Sequence, residues 1–324
     1  MSAPVQRSPS TAAIVVALLV VYLVWGSTYL GIAVVIETMP PLLTAGVRYA
    51  VAGVIMLTGF VALARLRPGS WQLERPTAAQ WRSAVVIGLL LLLGGNGGVV
   101  LGELYIPSGM AAVLVAMEPM WLAAIEAVLT RRRPSALVIG GIIAGIVGVA
   151  VLLIPVEGLD RFDPLGVALV ICAGLTWAAG SIYVRHAALP RSGVLGTGME
   201  MLAGGVALLL VGSLLGEAGE VHVAAFSTSS LLALGYLIVF GSLAGFTAYV
   251  WLLGNVPIAT AGTYAYVNPI VAVGLGALLR AEPITPRTLV AAVIIIAAVV
   301  AMVSGRPRSA EETGPAPEAA SVEG

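Results

Sequence analysis

The chain has 324 residues, of which 59% are hydrophobic and 10% charged, with sixteen basic residues balancing sixteen acidic ones. An ordinary soluble domain carries about 25% charged residues, so a water-exposed globule is excluded, and balanced charge excludes the basic surface that nucleic acid requires. Every basic residue is arginine and Cys172 is the single cysteine, which rules out a phosphate-binding P-loop, Schiff-base chemistry, an internal disulfide and a cysteine metal cluster.

Residues 1–11 are polar and carry Arg7. The apolar run from residue 12 to residue 36 is too long for a signal-peptide core and ends in no small-residue cleavage site, so it reads as an uncleaved first spanning helix. About 20 residues at 1.5 Å each cross the hydrocarbon layer. Ten such stretches fit: 12–36, 41–64, 82–102, 107–129, 135–155, 164–184, 193–215, 230–253, 257–279 and 287–304. The expected fold class is all-α integral membrane, and the proline-, alanine- and glutamate-rich tail 305–324 is expected to be disordered.

Arginines set the expected orientation, because basic residues are retained on the cytoplasmic side. With the N-terminus inside, twelve arginines fall in inner connections (Arg7, Arg65, Arg67, Arg75, Arg82, Arg131, Arg132, Arg133, Arg185, Arg191, Arg306, Arg308). Only Arg161, Arg280 and Arg287 fall outside, and Arg48 lies within a helix. Both ends are therefore expected in the cytoplasm.

One sequence offset superimposes uncommon residues. A shift of 152 carries Trp25 onto Trp177, Arg48 onto Glu200, Gly53 onto Gly205 and Leu101-Gly102 onto Leu253-Gly254. Pro107 and Pro119 meet Pro257 and Pro269 at 150, and Pro134 meets Pro283 at 149. Five spans per copy is an odd number, so the second copy enters the membrane from the opposite side, the inverted-repeat plan of many transporters. The expected organisation is a cytoplasmic segment 1–11, a first five-helix repeat 12–155, an external connection 156–163, a second repeat 164–304 and the tail.

The tracts Trp25-Gly-Ser-Thr-Tyr29, Met39-Pro-Pro41, Ala45-Gly-Val-Arg48, Gly95-Asn-Gly97, Pro107-Ser-Gly109 and Ala265-Tyr-Val-Asn-Pro269, with Glu282 beyond, resemble the drug/metabolite transporter superfamily. Within it the chain is similar to the EamA-type branch. The resemblance implies ten helices in two repeats, cytoplasmic ends, and export of amino-acid-like metabolites or drugs. Two positions depart from the family pattern. Arg131-Arg-Arg-Pro134 replaces the acidic turn after the fourth helix, and Glu118 stands before Pro119 where a neutral residue is common.

A charge at the centre of a spanning helix costs about 2.5–3.5 kcal/mol on insertion scales, so each one calls for a partner, water or a neutral form. Four candidates stand out. Arg48 either meets a substrate carboxylate or locks the bundle through fixed contacts, and Glu200 is its counterpart in the second repeat. Glu118 precedes a proline that frees a carbonyl and bends the helix. It is the candidate for proton coupling, against a permanently neutral glutamate as the bland alternative. Glu126, near Arg131 to Arg133, reads as a surface pair.

Asn96 and Asn268 can hydrogen-bond a solute or join helices. Trp25, Trp177, Tyr264 and Tyr266 suit an amphipathic or aromatic solute, whereas Trp71, Trp81 and Tyr105 read as interface anchors. The spacings Gly141 to Gly145, Gly212 to Gly216 and Gly241 to Gly245 report close helix contact and no substrate information. The substrate-binding set is Trp25, Arg48, Asn96, Glu118, Trp177, Glu200, Tyr264 and Asn268. No catalytic residue, metal or cofactor is expected: His186 and His222 lie near connections and assemble no reaction centre. The favoured reading is a monomeric secondary transporter whose partners are a small solute and membrane lipid, with no ATPase subunit; a membrane-embedded enzyme and a passive channel are the competing readings.

Overall fold

A computed structural model describes residues 10–67, 73–131, 136–153, 163–253, 255–256, 260 and 263–304. The readings for Arg7, Trp71, Arg132 to Pro134, Arg161, Gly254, Pro257, the connection 156–163 apart from its last residue, and the tail lie outside these residues. The described residues form helices and turns with no strand. In chain order the helices are α1 Thr11–Val35, α2 Pro41–Leu66, α3 Ala78–Gly102, α4 Ser108–Thr130, α5 Ala136–Leu153, α6 Pro164–Val184, α7 Gly193–Leu214, α8 Thr228–Leu252, α9 Tyr264–Arg280 and α10 Pro286–Ser304. By length and composition α1 to α4 and α6 to α8 are able to cross a bilayer, while α5, α9 and α10 carry shorter apolar stretches.

Local chemistry explains where the boundaries differ from those expected. The third helix starts at Ala78 rather than residue 82, because Thr77 and Gln80 form a reciprocal capping box that recruits a polar first turn. The eighth starts early for the same reason: the Ser227 hydroxyl accepts from Ser230 N. The ninth begins at Tyr264, later than expected.

Three helices are irregular where the site forms. α4 breaks at Ala116–Met117 and resumes at Glu118, with Pro119 in the first turn of the second segment, where its missing N–H costs nothing. α3 runs as a π-helix over Gly88–Asn96, and α8 does so over Leu237–Ala244. Each is the third helix of its half. π stretches leave carbonyls displaced from the regular ladder and available to side chains.

The halves pack crosswise. α1 lies against α8 and α9, α6 lies against α3 and α4, α2 packs on α7, and α5 packs on α10. The α2–α7 crossing is reciprocal. A Cβ at Gly53 would lie 2.6 Å from Leu202 N and 2.9 Å from Gly198 O. One at Gly205 would collide with Ala50 N and lie 2.9 Å from Gly46 O. Gly46, Ala50 and Gly53 are the residues that a shift of 152 carries onto Gly198, Leu202 and Gly205. As the α2 number rises its α7 contact falls, so the two helices run antiparallel. Large apolar side chains such as Leu66, Leu214 and Leu278 remain exposed on the outside of the bundle, as lipid contact requires.

Carboxylates close one end of the bundle. The Glu217 side chain accepts from Leu42 N at 3.1 Å and Leu43 N at 2.8 Å, at the start of α2. Glu282 accepts from Ser108 Oγ at 2.7 Å, Gly109 N at 3.2 Å and Ser108 N at 3.3 Å, at the start of α4. α2 follows Pro40 and α4 follows Pro107, and neither has a side-chain cap of its own, so each is capped from the other half. Arg280 Nη1 pairs with Glu37 Oε1 at 2.5 Å on the same face.

Candidate functional site

Inside the bundle lies a cavity whose empty space, counting its open mouth, is about 700 Å³. α1, α2, α3, α4, α6, α8 and α9 contribute to its wall. Seven of the eight expected binding residues line it: Trp25, Arg48, Asn96, Glu118, Trp177, Tyr264 and Asn268.

Glu200 is the exception. The cavity reaches α2 but has no lining from α7. Glu200 is half-buried there, its backbone carbonyl against Gly88 of α3. The physical reason is that glycines bring α7 backbone to backbone with α2 and α3, leaving no open wall on that helix. The expectation that Glu200 lines the cavity together with Arg48 is corrected accordingly.

Arg48 is 4% exposed. Its Nε donates to Ser242 Oγ at 3.0 Å, and its guanidinium carbon lies 4.7 Å from the Tyr49 ring centroid, a cation–π contact. Among the described residues no carboxylate pairs with it. The π stretch of α8 supplies both Ser242 and Gly241. A Cβ at Gly241 would lie 3.0 Å from an Arg48 terminal nitrogen and 3.0 Å from Thr28 Cγ2.

Trp25 uses the same π stretch. Its Nε1 donates to the Gly241 carbonyl at 3.2 Å, and a Cβ at Gly245 would collide with that ring. The Gly241 to Gly245 spacing, expected to carry no substrate information, therefore makes room for two cavity residues. Trp25 also meets Phe246, Tyr249 and Tyr264 edge-on or tilted at centroid distances of 5.2, 5.0 and 5.1 Å, geometries that suit the ring quadrupoles. On the opposite wall a Cβ at Gly95 would sit 2.9 Å from Trp177 Cε3, so the glycines around Asn96 admit the second tryptophan.

Glu118 is 8% exposed, lines the cavity, and has no cationic partner among the described residues. Asn96 Oδ1 is buried without a hydrogen-bond partner. Asn268 is 6% exposed; with its amide nitrogen turned toward them, it donates to the Tyr22 and Tyr264 carbonyls at 3.2 Å each. That occupies the Asn268 amide structurally and leaves Asn96 as the free amide at the cavity.

Glu126 approaches Arg185, the residue after α6, at 4.0 Å with both side chains about half exposed, a pair of little energetic weight. Its expected neighbour Arg131 ends α4 in the left-handed region at φ 53°. Trp81 and Tyr105 are exposed near helix ends. Sequence reasoning missed Thr28, Tyr29, Tyr49 and Phe246, which all line the cavity. Tyr29 and Ile32 share the helical face of Trp25 at four- and seven-residue spacing, a signal that the sequence carried.

Residues 12–154 and, again, 164–304 match the EamA-like transporter family. The chain is 38% identical over 294 residues to the "Uncharacterized inner membrane transporter YedA" of Escherichia coli K12, covering 90% of each chain. It is 26% identical over 296 residues to the "Probable amino-acid metabolite efflux pump" of Salmonella typhimurium LT2, covering 86% of this chain and 91% of that one. A crystal structure at 18% identity shares the fold with a TM-score of 0.56, over 90% of this chain and 96% of that one. With the family matched in both halves and a relative 38% identical over 90% of the chain, the chain belongs to the EamA-like transporter family and is a transporter, not an enzyme.

Proposed function

We propose that the protein is a monomeric secondary exporter of amino-acid-like metabolites or drugs, driven by proton entry and working by alternating access in the plasma (inner) membrane. The observation that carries this reading is the presence of two ionisable groups of opposite sign, each without an ion-pair partner, in one cavity. Arg48 and Glu118 both face it, both are buried, and neither has an ion-pair partner among the described residues. Leaving such groups unpaired costs several kcal/mol, which a solute carrying an anionic group would offset at Arg48, and a proton or a solute ammonium at Glu118. Trp25, Trp177 and Tyr264 supply aromatic wall to the same cavity.

The reciprocal α2–α7 contact and the crosswise packing of α1 and α6 support two inverted five-helix repeats, 12–155 and 164–304, joined by 156–163. Such repeats exchange roles when the bundle rocks. The arginine distribution supports cytoplasmic ends, which puts the Glu37, Glu217 and Glu282 face outside. That face is held by cross-repeat contacts, as expected of a cavity closed to the exterior. The names of the relatives from Escherichia coli and Salmonella typhimurium support the inner membrane and the outward direction.

The test is counterflow in proteoliposomes of the purified chain, using a radiolabelled panel of zwitterionic, anionic and cationic solutes at varied pH. Saturable exchange of a zwitterionic or anionic solute, accelerated by a proton gradient, is expected, with the gradient dependence absent in Glu118→Gln. Non-saturating flux, or an unchanged gradient effect in Glu118→Gln, overturns the reading.

A further inference from the structure

Arg48 meets the second half of the chain along one edge. Its Nε donates to Ser242 Oγ at 3.0 Å, and its Nη2 would lie 3.0 Å from a Cβ at Gly241. The Nε–Nη2 edge of the guanidinium therefore faces two consecutive residues of the α8 π stretch. One face of the planar group is also covered, because its central carbon stands 4.7 Å from the Tyr49 ring centroid. Among the described residues the terminal nitrogens bond no protein group. The buried side-chain atoms left without a partner there are Asn96 Oδ1 and the two Glu103 carboxyl oxygens. The Arg48 terminal nitrogens are not among them, so they keep accessible surface on the cavity that Arg48 lines.

A guanidinium takes a carboxylate side-on, through Nε and one terminal nitrogen, or end-on, through both terminal nitrogens. Ser242 and Gly241 close the first way. The second stays open, with two parallel donors in a rigid plane. Trp25 is fixed by the same stretch: its Nε1 donates to the Gly241 carbonyl at 3.2 Å, and Thr28, three residues on, has its Cγ2 3.0 Å from the Gly241 Cβ position. The indole and the guanidinium, both from the first half, are thus anchored side by side on the second. Ser242 is fully buried and lies behind the cavity lining, so it acts through Arg48 and touches no solute.

We infer that Ser242 and Gly241 are positioning residues for solute recognition: they hold Arg48 as an end-on fork for a solute carboxylate, with Trp25 set beside it for the apolar group that the carboxylate carries. The inference rests on the proposed role of Arg48 in receiving the anionic end of the solute. It adds how that end is read, as a planar carboxylate with an apolar neighbour and not as a point charge.

The test uses two probes on the purified full-length chain in lipid nanodiscs. Phenylglyoxal condenses with the terminal nitrogens of a guanidinium, and peptide mass spectrometry reads the Arg48 fragment. Arg48 is expected to react. Saturating 3-phenylpropionate should slow that reaction about 10-fold, while 3-phenylpropionamide, of the same shape without the carboxylate, leaves it unchanged. In Ser242→Ala the dissociation constant of radiolabelled 3-phenylpropionate, measured by equilibrium dialysis, should rise about 10-fold, and Ser242→Thr, which keeps the hydroxyl, should recover part of it. In an Arg48→Lys background, which has no guanidinium to orient, Ser242→Ala should change little further, whereas a residue that only supports α8 acts equally in both backgrounds. An unreactive Arg48, equal protection by acid and amide, or additive losses in the two backgrounds overturns the inference. The acid–amide comparison needs no variant and decides even where Ser242→Ala misfolds. Counterflow of the solute panel reports on the exporter reading separately: exchange with equal protection by acid and amide sinks the fork alone, whereas no exchange of any solute sinks the exporter reading and leaves the binding result standing.

Discussion

Trp25 and Gly241 are joined by a hydrogen bond of 3.2 Å from the indole Nε1 to a carbonyl within the α8 π stretch. The contact ties the first helix of one half to the third helix of the other and fixes the ring that forms one cavity wall. It depends on Gly245, where a Cβ would collide with the indole nitrogen. Gly245→Ala should therefore push the ring off its acceptor and destabilise the protein by about 1–3 kcal/mol, the usual cost of overpacking a filled site. Thermal unfolding in detergent measures the loss, and tryptophan emission reports the altered indole environment. Gly235→Ala, with open space around its Cβ position, is the control and should leave both readouts nearly unchanged.

Arg48 presents a charge to the cavity while its Nε is held by Ser242 at 3.0 Å. A charged hydrogen bond contributes about 1.5–3 kcal/mol, so Arg48→Ala should weaken binding of anionic or zwitterionic solutes by roughly 10- to 100-fold. Cationic solutes should lose little or gain. Arg48→Lys keeps the charge but loses the planar fork that engages Ser242 and a carboxylate together, so only partial recovery is expected. Equal losses for solutes of every charge, with unfolding temperature unchanged, would make Arg48 a structural residue. Isothermal titration or competition binding on the purified protein decides.

The helical plan was legible because its signal is redundant. Every span repeats the same apolar message over about 20 residues, and Gly53 with Gly205 marked a backbone contact that survives in the reciprocal α2–α7 crossing. Arg48 and Glu118 were legible because charges in apolar runs are conspicuous. Thr28, Tyr49 and Phe246 were not, since a residue that is ordinary in composition becomes a cavity wall only through the rotation of its helix, whereas Tyr29 was marked by its four-residue spacing from Trp25. The placement of Glu200 failed for the opposite reason. A shift of 152 relates positions along the chain, but the cavity opens toward α2 and not toward α7, and a linear repeat carries no information about that asymmetry. The π stretches also escaped notice, because glycine pairs in spanning helices ordinarily signal packing alone.

Glu217 and Glu282 act as caps delivered from the second half of the chain to α2 and α4. Helix N-termini leave four N–H groups without partners, and a carboxylate there also meets the positive end of the dipole. Glu217→Ala should cost about 1–2 kcal/mol of stability, while Glu217→Gln, which still accepts hydrogen bonds, should cost less. Glu282→Ala removes three acceptor contacts and should loosen the start of α4. Hydrogen exchange at Ser108 to Ala111 is expected to speed up there, with α2 unaffected. Equal protection in wild type and Glu282→Ala would show that solvent replaces the cap.

Glu103 gives the closed face a pH dependence whose sign follows from its surroundings. Burial first, and the like charge of Glu282 second, push its carboxyl well above the usual carboxylate range, with Arg280 acting in the opposite direction. A carboxyl with a higher pKa in the folded state binds more protons folded than unfolded between the two values. Its contribution to stability is thus whole below the ordinary value of 4.5 and is lost as pH rises through the elevated one. Raising the pH across that window should lower the unfolding temperature of the wild-type protein. Glu103→Gln, which has no proton to lose, should flatten that part of the curve and be the more stable protein at the alkaline end. The measurement is a set of thermal unfolding curves across pH in lipid nanodiscs. Parallel pH profiles for the two proteins would mean that Glu103 finds a charged partner or water in the bilayer.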